Sequence, residues 1–336
     1  MKKRIITIAL TAAMAAGLAA CGSSGTGSSS TGGSAGAEGS AKAETTGKHY
    51  TIGIDQSLEH QSLDKATKGF EAAVNKKFGK DNVTIDLQNA QNEAANNATI
   101  CNGFVSSKVD LILANATPAL QAASQATADI PVLGTSVTDY GEALGIDDFS
   151  GKTGTNVSGT SDLAPIDQQE HIFKELLPDA KNIAILYCSA EPNSIVQAKS
   201  FEKYAKKDGF QVKVYTAADS NEIQSVTTKA CQECDALYIP TDNTFAAAIE
   251  TVKNVVKPAK KPLVTGWGDV DAGIAAVSID YYELGYQTGE MAYEILANGK
   301  KPGDMEVQTA KSTQKTYNKE LCKELGIKVP DGYTAA

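Results

Sequence analysis

Histidine and tryptophan are scarce in this chain, which has three of the first and one of the second in 336 residues. With only His49, His60 and His171 available, a Ser-His-Asp or Cys-His nucleophile has few ways to assemble, which argues against hydrolase and transferase chemistry. No Gly-x-Gly-x-x-Gly or Walker-type phosphate loop stands at any strand-to-helix turn. After the first twenty residues, no run approaches the ~18 consecutive apolar residues of a membrane-spanning helix. Basic residues are in deficit, 31 Lys and Arg against 40 Asp and Glu, and the net charge of −9 makes nucleic acid and anionic lipid poor partners. Cys231-Gln-Glu-Cys234 has zinc or redox spacing, but no second Cys-x-x-Cys or His-x3-His follows to complete four ligands. It reads as two thiols at a helix-to-strand junction, and neither a metal nor a cofactor is expected.

What is present begins with an export signal. Lys2, Lys3 and Arg4 precede an apolar stretch from Ile5 to Ala16, too short to span a bilayer, and small residues lead to Leu18-Ala19-Ala20-Cys21. Residues 1–20 are then a signal peptide, and its removal takes the charge from −9 to −12. Gly22 to Lys48 is almost wholly Gly, Ser, Ala and Thr, a flexible tether whose mean reach is about 30 Å. Without Cys21 the cysteines number five, namely Cys101, Cys188, Cys231, Cys234 and Cys322, which argues against a disulfide framework.

From Tyr50 onward the chain alternates short β-branched runs with helical patterns, the signature of parallel sheets covered by helices. Strands are expected at Ile52–Ile54, Val83–Leu87, Leu111–Leu113 and Pro131–Leu133, with helices between them, the first capped by Ser62. After Asn156–Ser161 the series repeats, with strands at Ile183–Tyr187, Gln211–Tyr215, Ala236–Ile239 and Leu263–Thr265 and a helix from Asn243 to Val256. The fold class is therefore α/β, with two doubly wound parallel-sheet lobes. The chain is expected to cross between them at Asn156–Ser161, Ser278–Asp280 and Met305–Thr309, leaving a tail helix over Tyr317–Leu325. The lobes are expected to comprise residues 49–160 with 280–304, and 161–279 with 305–336. Three crossings restrict the motion to hinge closure.

Ligands of open parallel sheets lie beyond the carboxyl ends of the strands. Those ends read Asp55-Gln56-Ser57-Leu58-Glu59-His60, Asn115-Ala116-Thr117-Pro118 and Gly134-Thr135-Ser136-Val137 in the first half. In the second they read Cys188-Ser189-Ala190-Glu191-Pro192-Asn193-Ser194, Pro240-Thr241-Asp242-Asn243 and Gly266-Trp267-Gly268-Asp269. Together with Leu-Ala-Ala-Cys21, His60-x-x-Leu63-Asp64, Asn89-Ala90-Gln91-Asn92, Asn156-Val157-Ser158-Gly159 and Ile279-Asp280-Tyr281-Tyr282-Glu283-Leu284-Gly285, these segments resemble the ABC-transporter substrate-binding lipoproteins of the tryptophan/tyrosine type. The resemblance runs over essentially all of Tyr50 to Pro330. It implies a type I periplasmic-binding fold of the Venus-flytrap kind and lipidation of Cys21. It also implies attachment to the extracytoplasmic face of a bacterial membrane, delivery of a solute to an ABC permease, and no enzymatic activity. Trp267 and Cys188 stand where small or polar residues are expected.

An α-amino acid needs donors for its carboxylate, acceptors for its ammonium and flat apolar surface for an aromatic side chain. Helix N-termini suit the carboxylate, and Thr117, Thr135, Ser136 and Ser194 are the donors expected there. Asp242, Asp280 and Glu191 are the candidates for the ammonium. Asp242 also reads as a plain N-cap, and Asp280 as a hinge-stabilising acceptor. Gln56, Asn115, Asn193 and Asn243 supply amides or close Asx turns. His60, Phe245 and Trp267 follow strand ends and offer rings, although Phe245 fits equally a helix core face. The expected partners are an amino acid, a permease and the membrane through the lipid, with the protein a monomer. A sensor presenting itself to a membrane receptor, or a binder of branched-chain amino acids, sugars or nucleosides, carries the same pattern.

Overall fold

The computed structural model describes residues 47–268 and 270–336; Cys21, the export signal and most of the tether lie outside the described residues. Two parallel sheets organise the rest. The first contains β1 (Tyr50–Gln56), β2 (Val83–Asn89), β3 (Leu111–Asn115), β4 (Val132–Val137), β5 (Val157–Ser161) and β11 (Gln308–Thr309), in the order β11-β5-β4-β3-β1-β2. The second contains β6 (Asn182–Cys188), β7 (Gln211–Ala217), β8 (Ala236–Ile239), β9 (Leu263–Thr265), β10 (Ala275–Ser278), β12 (Gln314–Tyr317) and β13 (Thr334–Ala335), in the order β13-β12-β10-β9-β8-β6-β7. Counted from its own first strand, each half runs 2-1-3-4-5, a doubly wound order whose switch point lies between strands one and three. The inner strands have continuous apolar cores such as Leu111-Ile112-Leu113 and Ala236-Leu237, as parallel strands covered on both faces require, whereas β2 and β7, each outermost in its sheet, are largely exposed.

Helices cover both faces of each sheet. Below the first sheet lie α1 (Gln61–Phe78) and α10 (Tyr281–Leu296); above it lie α2 (Ala94–Ser107), α3 (Thr117–Ala126) and α4 (Tyr140–Leu144). The second sheet is covered by α7 (Ile223–Glu233), α8 (Asn243–Ala247) and α9 (Ile249–Val256) on one face. On its other face lie α5 (Ile166–Leu176), α6 (Pro192–Lys207) and α11 (Lys319–Glu324). The α1 helix shows how the sequence specifies this: Leu63, Ala66, Phe70, Ala73, Val74 and Phe78 recur at helical spacing and are all buried, and Gly79 ends the helix at φ 87°. His60 rather than Ser62 holds the N-cap position of α1, and Ser62 is buried inside the first turn.

Several boundaries differ from those expected. Val157–Ser161 is a strand paired with β4, so the first crossing is residues 162–165. Gln308 and Thr309 pair with Thr160 and Ser161, so Met305–Thr309 still belongs to the first sheet and the third crossing is residues 310–313. The physical reason is the same in both cases: an edge strand offers unpaired backbone groups, and the chain satisfies them before it leaves. The tail begins with β12, antiparallel to β10, and only Lys319–Glu324 is helical, capped by Asn318. The helix expected over Asn243–Val256 is interrupted at Ala248, where ψ turns to 22°, and Phe245, Val252 and Val256 enter one core.

Candidate functional site

The strand ends of the two sheets face each other, and hydrogen bonds already run across the gap. His60 Nε2 lies 3.3 Å from Asn243 Oδ1, Asn92 Nδ2 donates to Thr244 Oγ1 at 3.0 Å, and Gln197 Nε2 donates to Thr138 Oγ1 at 3.4 Å. The lobes are closed. His60 donates from Nε2, because the Asn243 amide nitrogen is committed to Glu191 and leaves only its oxygen toward the ring. Burial holds the His60 pKa below the ordinary imidazole value, so the ring is neutral near pH 7.

The wall built by the first lobe presents donors. Ala116, at the end of β3, has φ 89°, and Ser136, at the end of β4, has φ 55°. Two non-glycine residues in this region, at neighbouring strand ends, mark strain held by their surroundings, a feature that clusters at ligand sites. Thr117 opens α3 and is 2% exposed; its Oγ1 has no hydrogen-bond partner, and neither has the Ser136 Oγ. Ser57 Oγ accepts from Ala119 N at 3.0 Å, which fixes the start of α3.

The second lobe presents anions. Glu191 accepts from Asn243 N (2.9 Å), Asn243 Nδ2 (2.8 Å), Thr244 N (2.7 Å), Thr244 Oγ1 (2.6 Å) and Asn193 Nδ2 (3.1 Å), and so fills the N-terminus of α8. Asp242 caps the same helix through Phe245 N (2.9 Å) and also accepts from Cys188 N (2.7 Å) and Ser194 Oγ (2.8 Å). Desolvation, reinforced by the Glu191 charge, pushes the Asp242 carboxyl well above the usual carboxylate range. Asn193 donates to Thr241 O at 2.9 Å, while its Oδ1 is buried without a partner.

An enclosed cavity of about 10 Å3 lies where the walls meet, lined by His60, Leu63, Asp162, Thr241, Asp242, Asn243, Ala246, Trp267 and Tyr281. Asp162, in the first crossing, accepts from Thr138 Oγ1 and Tyr281 OH, both at 3.0 Å, and burial raises its pKa. Sequence reasoning missed Asp162, Tyr281, Thr138 and Gln197. The available signal for the first was a lone carboxylate immediately after Ser161, at a point where the chain leaves one lobe for the other.

Other expected contacts have different partners. Gln56 turns under α1, accepting from Thr67 Oγ1 (2.7 Å) and donating to Asp64 Oδ1 (2.8 Å) and Leu58 O (3.0 Å). Asn115 donates to Leu63 O and Thr67 Oγ1 on that same side, its Oδ1 left unpaired. Thr135 belongs to a buried hydroxyl chain with Thr160 and Thr288 beneath α10. Asp280 is exposed and caps α10 through Tyr282 N and Glu283 N. Phe245 is fully buried in the core, and Ser194 spends its hydroxyl on Asp242. Cys231 and Cys234 are free and buried at the α7–β8 junction, and burial pushes the Cys231 thiol up to about 11.

Two doubly wound lobes, three crossings and a polar gap closed between them define a two-lobed solute-binding protein of the type I periplasmic kind. The particular family follows from comparison: residues 51–335 match the model for the ABC transporter substrate binding protein family, and the chain belongs to it. It is 42% identical over 284 residues, covering 83% of this chain and 82% of the relative, to a tyrosine-binding protein of Clostridioides difficile (strain R20291). A Streptococcus pneumonia ABC domain solved in complex with L-Trp superposes with a TM-score of 0.81 at 34% identity, covering 86% of this chain and all of that one. A ligand-free, open substrate-binding protein with adhesive properties from Clostridium difficile is more identical, at 38%, and covers 85% of this chain and 99% of its own. It superposes less well, with a TM-score of 0.65, as lobe closure in the present structure predicts. The chain is thus a substrate-binding protein of an ABC transporter, which implies an extracytoplasmic location.

Proposed function

We propose that the chain captures an aromatic L-amino acid between its lobes and passes it to an ABC permease while held to the membrane by lipidated Cys21. The observation that carries the solute class is the polarity across the cleft. Thr117 and Ser136, at neighbouring strand ends of the first lobe, keep buried hydroxyls without a partner, and the strand ends of the second lobe carry the carboxyls of Glu191 and Asp242 with neutral hydrogen-bond partners. An α-carboxylate suits the first wall and an ammonium suits Asp242 on the second, with Asp162 of the first crossing lining the same cavity. Asn243 and His60 flank the same point, and Trp267 and Tyr281 supply rings. The names of the relatives, one tyrosine-binding and one solved with L-Trp, support the aromatic side chain.

The tether of Gly22 to Lys48 and the expected lipid at Cys21 keep the lobes beside the permease, and the protein works as a monomer in this reading. A thermal-shift screen of the twenty amino acids on the signal-free protein tests it, because a solute that binds only the folded state raises Tm by mass action. Tryptophan, tyrosine or phenylalanine should give the largest shifts. No shift with any of the three removes the assignment, and a larger shift with another solute replaces it.

A further inference from the structure

Beside the enclosed cavity lies a second, larger space, and the wall between them is thin. This outer groove of about 610 Å3 runs along the hinge between the start of α1 and the second and third crossings. Two residues line both spaces, Trp267 and Tyr281. Tyr281 is held in place: it opens α10, is 5% exposed, and donates its hydroxyl to Asp162. Trp267 is not held in this way. It sits in the loop between β9 and β10, its indole N–H donates to none of the described residues, and Gly268, at φ 91°, follows it. A glycine in that region of φ permits backbone rearrangements that other residues resist.

The volumes do not fit a fixed wall. A cavity of about 10 Å3 holds roughly one water, far below the ~300 Å3 at which small-molecule pockets begin. Trp267 belongs to the buried apolar cluster that also holds Tyr281, Leu284, Ala246 and Ala272, the kind of surface that an incoming aromatic side chain would seek. The groove on the far side has ample room for an indole.

We propose that Trp267 is a movable partition that sets the size of the solute pocket: on capture its indole leaves the inner cavity for the outer groove, and the solute ring takes its place. The inference rests on the amino-acid reading above. Burial lost by the indole is offset by burial gained by the solute, so the exchange adds little to the cost of capture. Tryptophan, tyrosine and phenylalanine are accepted because each replaces a ring with a ring.

Trp267 is the sole tryptophan, so its fluorescence reports one site. Binding of tyrosine is first established by calorimetry. Acrylamide quenching is then measured on the tyrosine-saturated protein, excited at the red edge of the indole band where tyrosine is dark, with the urea-unfolded chain as the fully accessible reference. A quenching constant nearer to that of the unfolded chain than to zero is expected, because the indole then faces an open groove. A constant nearer to zero, with tyrosine bound, shows a buried fixed wall and overturns the partition while leaving the amino-acid reading intact. Absence of calorimetric binding by tyrosine, tryptophan and phenylalanine overturns both.

Discussion

Asp242 and Glu191 share one buried cluster in which every hydrogen-bond partner is neutral, so two carboxyls face each other without a cation. Like charges brought together out of water cannot both ionise freely, and the raised Asp242 pKa expresses that conflict. An ammonium in the cleft favours the ionised form and should expel the proton that Asp242 holds. Calorimetry at one pH in two buffers of different ionisation enthalpy should therefore report proton release on solute binding, with affinity rising as pH rises above the usual carboxylate range. Proton uptake, or none exchanged, would remove Asp242 from the ammonium site. Asp55 makes a stability counterpart: fully buried near the end of β1, with Cys101 Sγ donating to it at 3.3 Å, its carboxyl is pushed up to about 7 by desolvation. Its folded pKa exceeds the ordinary 3.8, so stability is greatest below that value and declines as pH rises toward about 7. Asp55→Asn should raise Tm near pH 8, about a unit above that value, and change it little near pH 4, where Asp55 is already neutral. Thr117, Ser136, Asn193, Gln56 and Thr135 were all legible as strand-end residues, but the face that Gln56 and Thr135 take was not. Position along a strand gives the end a residue occupies, and the alternation of faces then sends Gln56 and Thr135 under α1 and α10. The partners of Glu191 were illegible for another reason: the N-terminus it fills starts 52 residues later in the chain.

At the scale of elements, the pairing of α1 with α10 shows what the sequence could and could not convey. Each helix was legible from its own period, but their approach was not, because it depends on glycines far apart in the chain. A Cβ on Gly285 would overlap the Ala66 carbonyl, and one on Gly69 would overlap the Tyr282 carbonyl, so the two backbones meet directly. Gly285→Ala relieves the helix-propensity cost of glycine, worth about 1 kcal/mol, yet must force the helices apart. Overpacking of this kind typically costs about 1 to 3 kcal/mol, and rigid backbone on the other side places this site at the upper end. Urea unfolding should show a lower midpoint for Gly285→Ala, and an unchanged or higher midpoint would show that α10 shifts freely on α1. The short strands β11, β12 and β13 were also missed, since two to four half-exposed residues carry too little alternation to register.

For the whole molecule, the repeat of β-α units told of two like lobes, and the shared 2-1-3-4-5 order bears that out. The lobes are joined in the closed form by apolar packing and by a small set of hydrogen bonds, and the latter are where closure can be altered without touching the solute. Asn92 is the cleanest of them. It is exposed, its backbone N donates to Ser57 O at 2.7 Å within its own lobe, and only its side chain reaches Thr244 in the other. Its φ of 62° is the left-handed region, so alanine there would add strain, whereas glycine keeps the backbone and removes the contact. A neutral hydrogen bond contributes about 0.5 to 1.5 kcal/mol net, and exposure puts this one toward the lower end. Because the bond exists only when the lobes meet, Asn92→Gly should weaken solute affinity by about two- to tenfold. The solute-free Tm should stay near that of the parent, and small-angle scattering at saturating solute should still show the contracted radius. If affinity is unchanged, the contact contributes nothing to closure; if Tm falls with affinity, Asn92 supports its own lobe rather than the latch.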